Sequence, residues 1–139
     1  MRNLRFMVGA ALVALGAPVL AVAGASAAQA SDAHVSIPSN YVYNPNTTYQ
    51  RTLHDYCTKS PDQFPSPGRN ADFRGPCARH DLCIMYRSTA RSTCDTNLRA
   101  NLKQECRYTY GRWDPRRGAC NETADVYFEV VRVNTLLFN

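Results

Sequence analysis

The sequence predicts an all-α fold: a small, disulfide-stapled domain of two antiparallel helices, which carry the candidate catalytic side chains, and a C-terminal helix. Helical start signals or apolar residues at helical spacing mark residues 76–87, 93–107 and 121–137. The chain also contains 6 cysteines. An even number in a small exported chain indicates three disulfides, although six cysteines allow fifteen pairings. A chain of this length forms one domain with a modest core.

Residues 1–30 form a predicted secretory signal peptide. Arg2 and Arg5 precede a long apolar run, and residues 28–30 offer an Ala-x-Ala cleavage site. We therefore expect a secreted, extracellular protein whose single domain spans residues 31–139. The alternative is a retained membrane anchor, because the apolar run is long for a signal peptide. No later segment of the sequence is apolar enough to span a bilayer.

The charge of the chain bears on its partners. The formal charge is +5 at pH 7, and it falls when Arg2 and Arg5 leave with the signal peptide. The remaining basic excess favours contact with an anionic surface, but it is too small to indicate nucleic-acid binding. We expect a monomer with no nucleic-acid partner.

The segments before the main helices are interpreted from their composition. Residues 31–46 are polar and aperiodic, which favours an extended lead-in. Residues 47–56 are predicted to form a short helix capped by Asn46. Residues 57–76 are so rich in proline and glycine that we expect no regular structure there. The first main helix should start near Pro76, a residue suited to a first helical turn.

Two further helices are predicted from their apolar stripes. In residues 93–107, Leu98 and Leu102 lie four residues apart on one face. Asn121 is a good N-cap for the last helix, and residues 107–120 form a turn-rich connection or a short hairpin. The last helix carries its own stripe, which we expect to be core: Val126, Val130, Val133 and Leu137.

Asp95 is an unexpected residue for its position, because it lies on the stripe of the second helix that should be buried. It precedes Leu98 by three residues. A buried carboxylate costs several kcal/mol unless another group pairs with it. His34 and His54 fall outside the main helices, whereas His80 lies on a face of the first helix that can be directed towards Asp95. We therefore predict a contact between His80 and Asp95.

The neighbouring cysteines support this pairing. Cys83 follows His80 by three residues and Cys94 directly precedes Asp95, so a disulfide between them would hold the two helices in register. Asp95 would then orient the imidazole and stabilise its protonated form, as a general base requires. The competing interpretation is a zinc site at Cys77, His80 and Cys83, which an oxidising compartment disfavours.

Asp81 suggests a metal site. It lies about 100° further round the helix than the adjacent histidine, so it cannot share that residue's hydrogen bond. If a disulfide joins Cys57 to Cys77, it draws the Asp55 carboxylate and the Tyr56 carbonyl towards the start of the first helix, near Asp81. Two carboxylates and a carbonyl are hard oxygen ligands, which favour Ca²⁺.

The motifs also resemble a known family. The chain contains "DYCTKSPD" at residues 55–62, Phe73 four residues before Cys77, "CARHD" at residues 77–81, and Asp95 eleven residues before Cys106. Together they are similar to the secreted phospholipase A₂ family, closest to its small bacterial and fungal branch. The similarity spans about residues 55–120, most of the chain after the predicted signal peptide.

The resemblance implies roles for five residues. His80 would be the general base and Asp95 its orienting partner. Asp55 and Asp81 would bind Ca²⁺ through their side chains, and Tyr56 through its carbonyl oxygen. The bacterial branch also implies two disulfides, Cys57–Cys77 and Cys106–Cys120.

Two features depart from the family pattern. The family usually has a tyrosine four residues after the histidine that helps to hold the aspartate, and here that residue is Ile84. Tyr127 on the last helix is the candidate replacement. The loop at residues 57–77 is longer than in bacterial relatives and lacks the glycine-rich calcium loop of the animal enzymes.

The resemblance therefore implies a calcium-dependent phospholipase A₂ that hydrolyses the sn-2 acyl ester of glycerophospholipids at a membrane or micelle surface. The alternative is a non-catalytic, disulfide-stapled binding protein on the same scaffold, which the change to Ile84 would permit. A secreted ribonuclease is a third hypothesis, but the sequence shows no evident second acid or base beside His80.

Overall fold

The computed structural model describes residues 32–49 and 52–138, in which four short strands precede three helices. The strands are β1 (Asn44–Tyr49), β2 (Thr52–His54), β3 (Gln63–Phe64) and β4 (Ala71–Asp72), and the helices are α1 (Arg74–Tyr86), α2 (Arg91–Thr109) and α3 (Arg116–Phe138). The domain is therefore largely helical rather than all-α. The predicted signal peptide lies outside the described residues.

None of the helices in the described ranges combines the length and the apolar composition that crossing a membrane requires.

Two small antiparallel hairpins account for the difference from an all-α fold. One pairs β1 with β2, and the other pairs β3 with β4. The helix predicted at residues 47–56 is wrong, because Thr47, Thr48 and Tyr49 are residue types that favour extended backbone. The expectation that residues 57–76 lack regular structure is also wrong. Their proline- and glycine-rich centre forms the turn of the second hairpin.

The three predicted helices are present, but their start sites differ from the predictions. The Asp72 carboxylate accepts the first amide N–H of α1 at 3.0 Å, so this helix begins two residues early. Asn121 is not the N-cap of α3. Asp114 Oδ1 accepts the amide N–H of Arg116 at 2.9 Å, and Pro115 suits the first turn. The "DP" signal therefore starts α3 well before Asn121.

All six cysteines form disulfides that link successive parts of the fold. One ties the segment after β2 to α1, the second joins α1 to α2, and the third joins α2 to α3. The pairing predicted from the candidate site and the two pairings implied by the resemblance are confirmed. They are Cys57–Cys77, Cys83–Cys94 and Cys106–Cys120. Phe73, Leu98, Leu102 and Tyr110 form the centre of the core around them.

The face of α3 that packs on the domain is not the one expected. Cys120 and Ala124 are fully buried, and Tyr127 and Val131 pack against the same core. Because the disulfide at Cys120 holds this side of the helix against α2, the predicted valine stripe turns outward. The prediction that the stripe is core is wrong, since Val126, Val130, Val133 and Leu137 are 61%, 60%, 52% and 70% exposed.

The N-terminal segment is anchored on α2 through a buried carboxylate. Glu105 is 1% exposed; it accepts the Val35 amide N–H at 2.9 Å and lies 2.9 Å from His34 Nδ1. The segment also passes close to Gly75, where an added Cβ would lie 1.7 Å from the Val35 carbonyl oxygen. A side chain at Gly75 is therefore incompatible with the observed path of the segment.

Candidate active site

His80 and Asp95 form a hydrogen-bonded pair between α1 and α2. His80 Nε2 lies 2.8 Å from Asp95 Oδ1. The His80 side chain is 16% exposed and that of Asp95 is 1% exposed, and the Cys83–Cys94 disulfide joins the same two helices. The predicted contact is present. Because Nε2 faces the carboxylate, Nδ1 is the ring nitrogen left to act on water.

The second oxygen of Asp95 is held by α3. Thr135 Oγ1 donates to Asp95 Oδ2 at 2.7 Å. Burial alone would raise the pKa of the Asp95 carboxyl. Hydrogen bonds from His80 and Thr135, with the nearby positive charge of Arg91, outweigh that effect and hold the pKa below its ordinary value. Asp95 is therefore a charged carboxylate at neutral pH.

Tyr127 does not replace the family's missing tyrosine. Its hydroxyl donates to the Pro61 carbonyl oxygen at 2.5 Å, and burial raises the pKa of Tyr127 to about 12. Ile84 is buried and has no polar atom to offer Asp95. The expectation that Tyr127 anchors the aspartate is wrong, and Thr135 supplies that hydroxyl instead.

The pair faces a cavity of about 520 Å³, a volume typical of small-molecule sites. All three helices and the segment after β2 contribute to its walls. The polar part of the lining includes His80, Asp81, Asp95 and Thr135. The apolar part includes Leu53, Ile84, Leu98, Val130 and Val131. The cavity thus combines a buried acid–base pair with a surface suited to an apolar ligand.

Asp81 lines the same cavity and is held by Tyr41. The Tyr41 hydroxyl donates to Asp81 Oδ2 at 2.7 Å and accepts the Tyr56 amide N–H at 3.0 Å. Burial, followed by the bond to Asp81, raises the pKa of Tyr41, so it stays a neutral donor. Tyr56 adopts a left-handed backbone with φ of 62°, which is uncommon outside glycine. One hydroxyl thus links two of the predicted calcium ligands.

Asp55, the third predicted ligand, is turned towards another partner. Its carboxylate accepts the Thr58 hydroxyl at 2.5 Å and is not part of the cavity lining. Asp81 and Tyr56 both line the cavity, and a carboxylate and a carbonyl are oxygen donors that Ca²⁺ prefers. The Tyr56 carbonyl oxygen also accepts the Thr58 amide N–H at 3.2 Å. Asp55 would join them only if its side chain turned towards the cavity. Across residues 32–49 and 52–138, no cluster of three or more histidine, cysteine or acidic side chains suits a metal ion.

The zinc interpretation is excluded by the disulfides. Cys77 is bonded to Cys57, and Cys83 is bonded to Cys94. Neither sulfur is available as a thiolate, which is the form that binds zinc. His80 therefore has no cysteine ligands beside it.

Two residues of the site were not found by sequence reasoning. Thr135 and Tyr41 each lie 40 residues from the aspartate that they contact. Thr135 did carry a weak signal, since it follows Val131 by four residues on the face of α3 that packs inward. A hydroxyl on an apolar face favours a buried acceptor nearby. Tyr41 lies in an aperiodic segment, where no pattern in the sequence indicated which way its side chain points.

Fold and site together define a small, disulfide-linked, largely helical domain with a histidine–aspartate pair at a cavity. Comparison of the chain with family models, with curated proteins and with solved structures finds no match in any of the three. Its function is therefore inferred from the geometry of its own residues and from the motifs described above.

Proposed function

We propose that this protein is a secreted, calcium-dependent phospholipase A₂ that hydrolyses the sn-2 acyl ester of glycerophospholipids. The observation that carries the proposal is the 2.8 Å contact between His80 and a buried Asp95. An imidazole oriented in this way by a carboxylate can act as a general base. The motif around these residues is the one that resembles the phospholipase family.

In this proposal His80 activates water directly. Nδ1 of His80 accepts a proton as the water oxygen attacks the ester carbonyl carbon, and Asp95 stabilises the imidazolium. The proton then passes to the leaving glycerol oxygen as the C–O bond breaks, which gives a fatty acid and a lysophospholipid. Ca²⁺ at this site would supply positive charge beside the oxyanion and the phosphate. Asp81 and the Tyr56 carbonyl would hold it, with Asp55 once its side chain turns towards the cavity.

Two observations support a lipid substrate. The cavity wall includes Ile84, Leu98 and Val131, which suit an acyl chain. Val130 lines the cavity and also belongs to the exposed apolar stripe of α3, so apolar surface runs from the cavity to the outside.

The disulfides support secretion, because such bonds persist in oxidising compartments.

A non-catalytic binding protein is the second candidate. It is favoured by the state of the two carboxylates, since Asp81 accepts a hydrogen bond from Tyr41 and Asp55 accepts one from Thr58. These hydrogen bonds involve no metal ion, and the apolar part of the cavity lining suits a small apolar ligand. Such a protein would bind lipid without releasing fatty acid.

The deciding experiment measures fatty-acid release from phosphatidylglycerol and phosphatidylcholine vesicles, with Ca²⁺ and with a chelator. The unmodified protein should release fatty acid only with Ca²⁺. His80→Asn should be inactive at saturating Ca²⁺ yet bind the ion normally, whereas Asp81→Asn should bind it more weakly. Asp125→Asn is the matched control, since Asp125 pairs with Arg99 and Lys103 rather than lining the cavity.

This assay separates the binding protein from the enzyme and tests the roles of His80 and Asp81. Vesicle binding without calcium-dependent release would favour the binding protein. Full turnover by His80→Asn, or unchanged calcium binding by Asp81→Asn, would contradict the roles proposed for these residues.

A further inference from the structure

We infer that Thr135 is a positioning residue for the His80–Asp95 pair, so that the C-terminal part of α3 helps to keep the general base oriented. This inference rests on the proposed hydrolytic function, but the effect of Thr135 on the orientation of His80 can be tested without measuring turnover. Thr135 acts through Asp95 and is therefore distinct from a catalytic residue.

The geometry around Asp95 carries the inference. The carboxylate is 1% exposed, and its two oxygens face different helices. Oδ1 lies 2.8 Å from His80 Nε2, and Oδ2 accepts the Thr135 hydroxyl at 2.7 Å. Two hydrogen bonds from opposite sides fix the plane of the carboxylate, which one bond alone would leave free to rotate.

The chemistry of the donor matters as much as its place. A hydroxyl is neutral, so Thr135 satisfies Oδ2 without competing with His80 for the negative charge of Asp95. A cation at the same place would weaken the attraction between carboxylate and imidazolium. Arg91 is a cation near this position, since it lines the same cavity and its charge lowers the pKa of Asp95.

Loss of the hydroxyl has a defined consequence. Oδ2 would become a buried acceptor without a donor, which is unfavourable. The carboxylate would relieve this by turning towards Arg91 or towards cavity water. Either movement lengthens the contact with His80 Nε2 and releases the ring from its orientation. Neither Ile84 nor Tyr127 can take over, because one is apolar and the other is bonded to Pro61.

Three variants test the inference. Thr135→Val removes the hydroxyl with little change in shape, Thr135→Ser keeps the hydroxyl, and Thr123→Val is the control on the same helix. Thr123 Oγ1 donates within α3, to the Ala119 carbonyl oxygen at 3.0 Å. Thr135→Ala serves in place of the valine variant if the latter does not fold with its disulfides intact.

The first measurement is the ¹⁵N NMR spectrum of the His80 ring, which reports which nitrogen carries the proton. The unmodified protein should show the tautomer protonated at Nε2, facing Asp95. Thr135→Val should populate both tautomers, whereas Thr135→Ser and Thr123→Val should match the parent. An unchanged His80 spectrum in Thr135→Val would overturn the inference whether or not the protein is an enzyme.

The second measurement is steady-state hydrolysis of phospholipid vesicles at saturating Ca²⁺. Thr135→Val should lower kcat roughly 10- to 100-fold, the range expected when a catalytic group is misplaced. Its KM should stay near that of the parent, and Thr135→Ser should restore kcat. A raised KM with unchanged kcat would make Thr135 a wall of the cavity and overturn the positioning role. Absence of hydrolysis in the parent would instead refute the proposed function, and the NMR result would still decide whether Thr135 orients the pair.

Discussion

Replacing Gly75 by alanine tests how the N-terminal segment is held against α1. A Cβ at this position would lie 1.7 Å from the Val35 carbonyl oxygen and 2.8 Å from the Val35 carbonyl carbon. Both contacts involve backbone atoms, which cannot rotate away as a flexible side chain can. The segment must therefore retreat by roughly 1.5 Å to regain van der Waals separation.

The loss of stability follows from the contacts with Glu105 that this movement of the segment would break. The Val35 amide N–H donates to Glu105 Oε2 at 2.9 Å, and His34 Nδ1 lies 2.9 Å from Glu105 Oε1. Glu105 is 1% exposed, and a buried carboxylate that loses its partners costs about 3–5 kcal/mol. Alanine favours the helix by about 1 kcal/mol over glycine. We expect Gly75→Ala to lower the free energy of unfolding by roughly 2–4 kcal/mol.

Urea unfolding of the oxidised protein, followed by circular dichroism, measures this change. Gly118→Ala is the matched control, because Gly118 lies in the first turn of α3 and its Cβ would meet nothing within 4 Å. There the same substitution should raise the free energy of unfolding by up to about 1 kcal/mol. The two variants should thus shift the midpoint in opposite directions. Equal or stabilising shifts for both would refute the account of the Gly75 contact.

The remaining predictions concern the site. Tyr41→Phe should weaken calcium binding about 10-fold in calorimetry, because Tyr41 orients one proposed ligand; unchanged affinity would contradict that role. Replacing Cys83 and Cys94 by serine should lower the free energy of unfolding by about 2–4 kcal/mol in urea and reduce hydrolysis. The pKa of Asp95 is below the ordinary 3.8, so its stabilisation is present above that pH and lost as pH falls through the folded pKa. Asp95→Asn should therefore flatten the acid dependence of stability, and a parent-like curve would show that the carboxylate is not stabilised by folding.

Local patterns in the sequence predicted the pair at the centre of the site. Helical spacing placed Asp95 on a buried stripe, and the positions of Cys83 and Cys94 beside the two residues predicted the contact with His80. Each of these signals lies within a few residues of the group that it concerns. The pairing of the remaining cysteines was implied by the family resemblance rather than by spacing.

Features that depend on distant contacts were not predictable in the same way. The rotation of α3 is set by the disulfide at Cys120 and by Tyr127 and Val131, which pack against the core. Counting apolar residues alone favoured the exposed stripe instead. The hydroxyls of Tyr41 and Thr135 reach their aspartates across 40 residues of sequence. No short-range pattern reports such a contact, since it is created only when the elements pack.

The order of the disulfides along the fold determines when the proposed active site would assemble. His80, Asp95 and Thr135 come from three different helices, and one disulfide joins α1 to α2 while another joins α2 to α3. In the reducing cytoplasm these links are absent, so the helices that carry the three side chains lack the covalent connections between them. If the chain is the secreted hydrolase proposed above, we expect it to be nearly inert before these disulfides form and to gain activity as they form. A phospholipase of the kind proposed above, built in this way, would spare the membrane of the cell that makes it.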